Sequence, residues 1–370
     1  DNSLRWLRMK YLKPLSSEAH FRRPDFPKAH FFPETGLAYM HSDLLNTSKN
    51  VMLAMRSSPF GSYGHMLADQ NTFNILAGGK SLFYHSGHKV AMDDPHRKKW
   101  YKHTKSHNGI LINGNGQPYS TEAYGWIRKS IAGENLSYAL GDASMAYHSV
   151  EHGGKHDSDL QRFHRHVVML YPDIILIYDD LVAEKASQWT WMIHSPEKIE
   201  LDNKRQQFSC TSLHAKSLTQ LFASGGFKWE LTDKFEIPAE NWRGFTDEDG
   251  NLLQYEDNEW HLKAISDSMK KMRFLAIMQV QTDKKNKFRL FQVSGNHFIC
   301  RDWKITAFLD PEDQPGLIIT KLDGKAVFSS GANALTFRGK TYEGKTPGNA
   351  ILVEEIEKAV EIKESEDHFP

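Results

Sequence analysis

Hydrophobic and polar positions change their period once along this chain, within its first thirty or so residues. Upstream, Leu4, Leu7, Tyr11 and Leu12 recur on one helical face with Arg5, Arg8 and Lys10 elsewhere, so residues 4–12 predict a short helix that Pro14 ends. After a proline-rich connector at 22–33 the pattern becomes that of strands. Residues 51–56, 72–76 and 109–113 are short apolar runs bounded by Gly, Asn or Ser. Residues 165–171 and 174–178 flank Pro172-Asp173, a hairpin signal, and further strands are expected at 188–194, 274–281 and 288–293. Short strands separated by turn residues predict an all-β fold, a large antiparallel β-sandwich rather than alternating βαβ units. A charged break at 282–287 reads as a domain boundary or as a hairpin loop. Beyond it, 304–309, 316–322 and 325–329 predict a smaller C-terminal β-sheet, while 354–364 fits helix or strand alike. The expected division is a helix and linker at 1–29, the sandwich at 30–284 and a small β domain at 285–370. There is no internal repeat.

With 370 residues and 39% hydrophobic content the chain can bury one large core or two ordinary ones. Its 46 Lys and Arg balance 46 Asp and Glu, so no global field draws nucleic acid or an anionic membrane. An anionic ligand has to be held by local positive charge. No apolar run approaches the roughly 20 residues that span a bilayer. Cys210 and Cys300 form neither a disulfide framework nor a zinc knuckle, and one bridge between them stays open at this level. The chain opens Asp-Asn-Ser-Leu without Met or a signal peptide, which predicts a processed or truncated start.

Candidate chemistry concentrates between Ser57 and Asn113. Nineteen histidines raise the prior for metal or proton chemistry, and this stretch places several of them at the ends of apolar runs. His65, Asp69, Gln70 and Asn71 fall within seven residues, behind Gly61, Ser62 and Gly64, and a flexible approach of that kind lets an imidazole project into a cleft. His65 reads as an acid or base, or as a partner for a substrate carboxylate; the alternative is a structural histidine bonded to backbone. His85 and His107 are the best metal candidates, with Asp69 or His88 as the third ligand zinc would need. His103 and His107 make a rival pair only if their stretch is helical, and it runs straight into a strand. His152, His156, His164 and His166 alternate with charges and read as surface residues. Arg97, Lys98, Lys99, Lys102 and Lys105, interleaved with Trp100 and Tyr101, read as grips and a stacking platform for an acidic carbohydrate, or as a solvated loop. Tyr101 is also a candidate proton donor.

Several of these motifs occur together. Phe31-Phe-Pro-Glu-Thr-Gly36, Arg56-Ser-Ser-Pro-Phe-Gly61, His65-Met-Leu-Ala-Asp-Gln-Asn-Thr-Phe73, Ser86-Gly87 and Lys105-Ser-His-Asn108 give a chain that resembles the C-terminal half of heparinase II/III-like polysaccharide lyases. The resemblance is strongest over 30–120 and looser through 165–194. It implies a β-supersandwich following a helical toroid, of which the helix at 4–12 would be the last remnant. It also implies β-elimination on a uronic-acid polysaccharide (a glycosaminoglycan such as heparan sulfate, or an alginate-like chain), a periplasmic or secreted bacterial setting, and a metal, usually zinc. Under it His65 matches the catalytic-cleft histidine and His107 a metal ligand. His85 stands where heparinase II has a ligand aspartate, and Leu67 stands where the family has its second ligand histidine. Gln70, Asn71, Arg97, Lys98, Tyr101, Lys105 and Asn108 are the expected substrate-binding residues. The family's tyrosine acid/base lies in the toroid, so the chain is expected to be the C-terminal part of a lyase. Rival readings are a non-catalytic carbohydrate-binding β-module and a metal-dependent hydrolase built on His65, Asp69, His85 and His107.

Overall fold

A computed structural model describes residues 26–148, 159–241, 243–255, 258–282 and 287–368. The expected helix at 4–12, together with His152 and His156, lies outside the described residues. Strands β1 (Ala29–Phe32), β2 (Leu37–His41), β3 (Val51–Arg56), β4 (Thr72–Ala77) and β5 (Lys80–Phe83) meander in sequence order as a first antiparallel sheet. The middle sheet contains β6 (Ile110–Ile112), β7 (Trp126–Ala132), β8 (Leu136–Asp142), β9 (Leu160–Leu170), β10 (Ile174–Ser195), β11 (Ile199–Asp202), β12 (Gln207–Thr211), β13 (Lys216–Ala223), β14 (Phe227–Lys234) and β15 (Asn258–Gln281). Its main path runs β11-β12-β13-β15-β10-β9-β8-β7, with β6 added on β10 and β14 on β15. A third sheet holds β16 (Leu290–Ser294), β17 (His297–Cys300), β18 (Trp303–Ala307), β19 (Leu317–Lys321) and β20 (Ala326–Ser329). The hairpin β21 (Ala334–Phe337) and β22 (Lys340–Glu343) interrupts it before β23 (Ile351–Ile356) and β24 (Ala359–Glu364) complete it. The last strand, β25 (Glu366–Asp367), returns to pair with β7. Among the described residues no helix is long and apolar enough to cross a membrane.

The middle sheet is buried on both faces, and this explains its unbroken apolar runs. Val167, Met169, Ile175, Ile177, Ala276 and Met278 enter a core shared with Phe73, Ile75 and Phe83 of the first sheet. Their neighbours Val168, Leu170, Ile174, Leu176, Leu275 and Ile277 enter a second core with Phe298, Trp303, Ile305 and Phe328 of the third sheet. Period-two alternation is therefore present, but both phases are apolar. The third sheet, built from residues expected to form a small β domain, thus shares a core with the sandwich.

Pro172-Asp173 is the β9–β10 hairpin, as expected. The runs expected at 174–178 and 188–194 belong to one 22-residue strand. Its pairing with β15 shifts register between Val182 and Ser187, where Glu184, Lys185 and Ala186 are exposed. Pairing on either side, with β9 up to Ala183 and with β15 again from Ser187, carries the strand across a polar stretch that reads locally as a loop. The ambiguous 354–364 segment is the hairpin β23–β24, turning on Glu357 and Lys358 at positive φ. Glu354 obscured the pattern because it is charged yet fully buried, accepting the Glu134 and Asn135 backbone N–H groups and pairing with Lys363. Cys210 and Cys300 are free, one in each core. His166 is buried rather than superficial, its Nδ1 at 2.9 Å from the Tyr138 hydroxyl.

Candidate active site

Two segments on the rim of the first sheet carry the candidate residues, 57–71 between β3 and β4 and 84–108 between β5 and β6. One buried arginine ties both to the middle sheet. Arg165 of β9 forks onto Asp179 of β10, Nε to Oδ1 at 2.6 Å and Nη2 to Oδ2 at 2.8 Å, with neither side chain exposed. Its Nη1 donates to the carbonyls of Asn71 at 2.6 Å and Asn108 at 2.9 Å, one in each segment.

The three amides expected to meet substrate instead brace this framework, and all three are fully buried. Gln70 accepts the Ser58 N–H at 2.6 Å and donates to the Gly61 carbonyl at 3.2 Å. Asn71, at φ 54, donates to the carbonyls of Gly141 and Phe163 at 3.0 Å each, a left-handed position that asparagine tolerates. Asn108 donates to the Phe73 carbonyl at 2.8 Å and accepts the His194 N–H at 2.7 Å. Gly61 has to be glycine: at φ 59, an added Cβ would lie 2.5 Å from the Ser120 carbonyl oxygen. Gln70→Ala is expected to cost about 1–3 kcal/mol through the orphaned Ser58 N–H, read as a lowered thermal midpoint; an unchanged midpoint would show that water replaces the amide.

On this scaffold the loop presents His65, which is exposed. Arg97 reaches it with Nη2 3.4 Å from Nδ1, while its own Nη1 donates to the Val90 carbonyl at 3.1 Å. The loop tip is gripped at the Gly64 carbonyl by Lys102 Nζ at 2.8 Å and the Tyr119 hydroxyl at 2.7 Å. Asp69 pairs with Arg56, whose Nη2 also donates to the Gly61 carbonyl at 3.2 Å. Burial pushes the Asp69 carboxyl up to about 6, against the pull of Arg56.

Beside them His85 sits among aromatic rings, 5.3 Å from Tyr101, 5.4 Å from His107 and 4.4 Å from Tyr84 between centroids. Burial holds His85 down to about 4 and His107 well below its ordinary range. Burial also raises the half-buried Tyr101 phenol, with Tyr84 adding and Arg97 opposing. Lys98 is exposed, and Lys105 Nζ pairs with Glu236 at 3.0 Å. His103 and His107 do not share a helix: they flank a single turn, Thr104–Ser106, and both have extended backbones.

The donor set for zinc is two imidazoles. His107 Nε2 is buried without a partner, and its ring centroid lies 5.4 Å from that of His85. Asp69 is committed to Arg56, and His88 stacks on His96 and Tyr255 instead. Among the described residues no three His, Cys, Asp or Glu side chains converge on a metal position. These residues do not fit a zinc shell.

Pattern reading missed Tyr84, His194, His261 and the Arg165–Asp179 pair. His261 of β15 packs on Trp100 at 5.0 Å and His194 at 5.2 Å, with both ring nitrogens buried and unpartnered. A signal for the pair existed: Arg165 and Asp179 are charges inside otherwise apolar strand runs flanking one hairpin, directly opposed in register.

Stacked antiparallel sheets, with an imidazole and phenol cluster on loops of one outer sheet, make this a β-sandwich module. The sequence model of the heparinase II/III-like C-terminal family matches residues 25–269, and the chain belongs to that family. A solved heparinase III superposes with a TM-score of 0.58 at 12% identity, covering 89% of this chain and 43% of that one. A heparan sulfate lyase from Pedobacter heparinus gives 0.54 at 13% identity, covering 88% and 43%. The chain therefore spans less than half the length of these proteins, and at such identities the likeness concerns the fold. No curated protein matches the sequence.

Proposed function

We propose that this chain is the sandwich part of a polysaccharide lyase that cleaves a uronic-acid-containing chain, a glycosaminoglycan or an alginate-like polymer, by β-elimination. A base takes the C5 proton, the C4–O bond breaks, a C4=C5 double bond forms, and the leaving oxygen receives a proton. The C5 proton is weakly acidic, so the adjacent carboxylate needs a hydrogen-bond donor before the base can act.

The observation that carries the reading is the pairing of exposed His65 with Arg97. A guanidinium N–H only donates, so Nδ1 accepts, and the neutral ring then keeps its proton on Nε2. His65 thus offers an outward N–H, which favours the carboxylate-partner role over that of base. Tyr101, its phenol raised by burial, keeps its proton at neutral pH and suits protonation of the leaving oxygen. Exposed Lys98 serves the polymer's negative charge, while Lys105 is paired with Glu236. The base for C5 is assigned to the remainder of the full-length protein.

Ultraviolet absorbance of the conjugated double bond, followed on a panel of uronate polysaccharides with this chain and with the longest gene product, tests the proposal. His65→Ala in the long product is expected to lower turnover by about 10²–10⁴-fold at unchanged thermal midpoint. His65→Gln, which keeps a donor, is expected to retain more. Wild-type turnover in His65→Ala would remove the assignment. Glycan affinity without any absorbance rise in the long product would replace the lyase with a binding module.

A further inference from the structure

A groove separate from the histidine cluster runs between the β12–β13 side of the middle sheet and the β16–β17 edge of the third. Its volume is about 1260 Å³, above the roughly 300–1,000 Å³ of a small-molecule pocket. Phe222 and Phe291 contribute phenyl rings to it. Phe222 is seated on Phe298 at 4.5 Å, whereas Phe291 is 63% exposed on the edge strand β16. Gln207, Gln220 and Gln292 contribute amides, whose nitrogens donate to Asp202 and to the Arg205 and Gly295 carbonyls, and Lys204 and Arg205 contribute cations. Asp310 is the sole carboxylate among the lining residues, and it accepts the Glu312 N–H at 3.0 Å. Arg205 meets Asp202 only at the surface, at 3.4 Å, an exposed pair that gives little stability.

The wall is set before any ligand arrives. Gln220 Nε2 donates to the Arg205 carbonyl at 3.0 Å, and the Leu221 N–H donates to the Gln206 carbonyl at 3.0 Å. A preformed wall lowers the ordering cost of binding. The groove shares no lining residue with the candidate site. His261 packs on Trp100 of that site, while Ser266 and Leu275, five and 14 residues further along β15, pair with Phe227 and Phe222 of the groove.

We propose that this groove is a second, non-catalytic binding site for an acidic polysaccharide, holding another stretch of the polymer that the His65 site engages. The identity of the polymer rests on the lyase reading. Phenyl rings meet the apolar C–H face of a pyranose, amides meet hydroxyls, and the excess of cations meets carboxylate or sulfate. Two sites on one polymer raise avidity without any new contact, whereas a short oligosaccharide gains nothing from the second.

The test is calorimetric binding of a long uronate polysaccharide, and of a short oligosaccharide cut from it, to this chain. The variants are Phe291→Ala and the double substitution Lys204→Glu with Arg205→Glu, with thermal midpoints recorded to verify folding. Loss of the exposed ring is expected to weaken polymer binding about tenfold, with a larger loss for the charge reversal and no change for oligosaccharide at the His65 site. Wild-type polymer affinity in both variants overturns the proposal. So does a dimer in sedimentation that Phe291→Ala dissolves, which would assign the groove to a second copy of the chain. Failure here is separable from failure of the lyase reading. A long product that makes the double bond while both variants bind normally sinks the groove alone. Groove-dependent binding without a double bond sinks the lyase alone.

Discussion

Arg165→Met is expected to lower the unfolding free energy by about 3–5 kcal/mol, because it strands a charge that has no route to water. Asp179 is fully buried, and burial already pushes its carboxyl up against the pull of Arg165. Removing the guanidinium also orphans the Asn71 and Asn108 carbonyls, the points where both site segments are pinned. Arg165→Lys keeps the charge but loses the fork geometry, so an intermediate loss is expected. Combining Arg165→Met with Asp179→Leu is expected to recover much of the stability, since no lone charge is left, while leaving the His65 loop unpinned. Urea midpoints for the three variants check this; a single variant within about 1 kcal/mol of wild type would show that the pair is dispensable.

Acid is expected to destabilise the fold well above the carboxylate range. Burial holds His85, His103 and His261 down to about 4 and His166 to about 3, with His107 and His194 also well below their ordinary values. In the unfolded chain each takes a proton near pH 6.5, while in the folded chain burial keeps each neutral to lower pH, to about 4 for His85, His103 and His261. Between those values the unfolded state binds more protons, so stability falls as pH falls, by about 1.4 kcal/mol per unit for each group that acts independently. Asp69 has the opposite sign: raised to about 6, it takes its proton first in the folded state and offsets roughly one histidine between pH 6 and 3.8. The expected net result is a clear drop in urea midpoint from pH 7.5 to 5. His261→Phe, which removes two unpartnered nitrogens from an aromatic pocket, is expected to flatten that slope by up to one proton without loss at pH 7.5. A midpoint independent of pH over this range would contradict the neutral histidine cluster.

Turn chemistry and local period sufficed for most strands and for the all-β class, because those signals act over a few residues. They failed where pairing on both sides carries a strand across a polar stretch, as at Glu184–Lys185 in β10, and along the first half of β15. There the hydrogen-bond ladder comes from neighbours distant in the chain. The same limit applied to the site. His65, Arg97, Tyr101, His85 and His107 were legible as chemistry-bearing types at the ends of apolar runs, and the fold places them on one rim. Gln70, Asn71 and Asn108 looked identical in kind, yet their amides are spent on backbone carbonyls and N–H groups.

Family membership, strand-rich architecture and the loops that carry the candidate residues were thus written in local patterns and motif order. Which polar side chains face solvent, which brace the loops, and how Phe222 and Phe291 come to line one groove were decided by the tertiary structure. The reason is physical: burial, orphaned donors and paired charges are properties of surroundings assembled from segments as much as 220 residues apart, and no single window of sequence contains them.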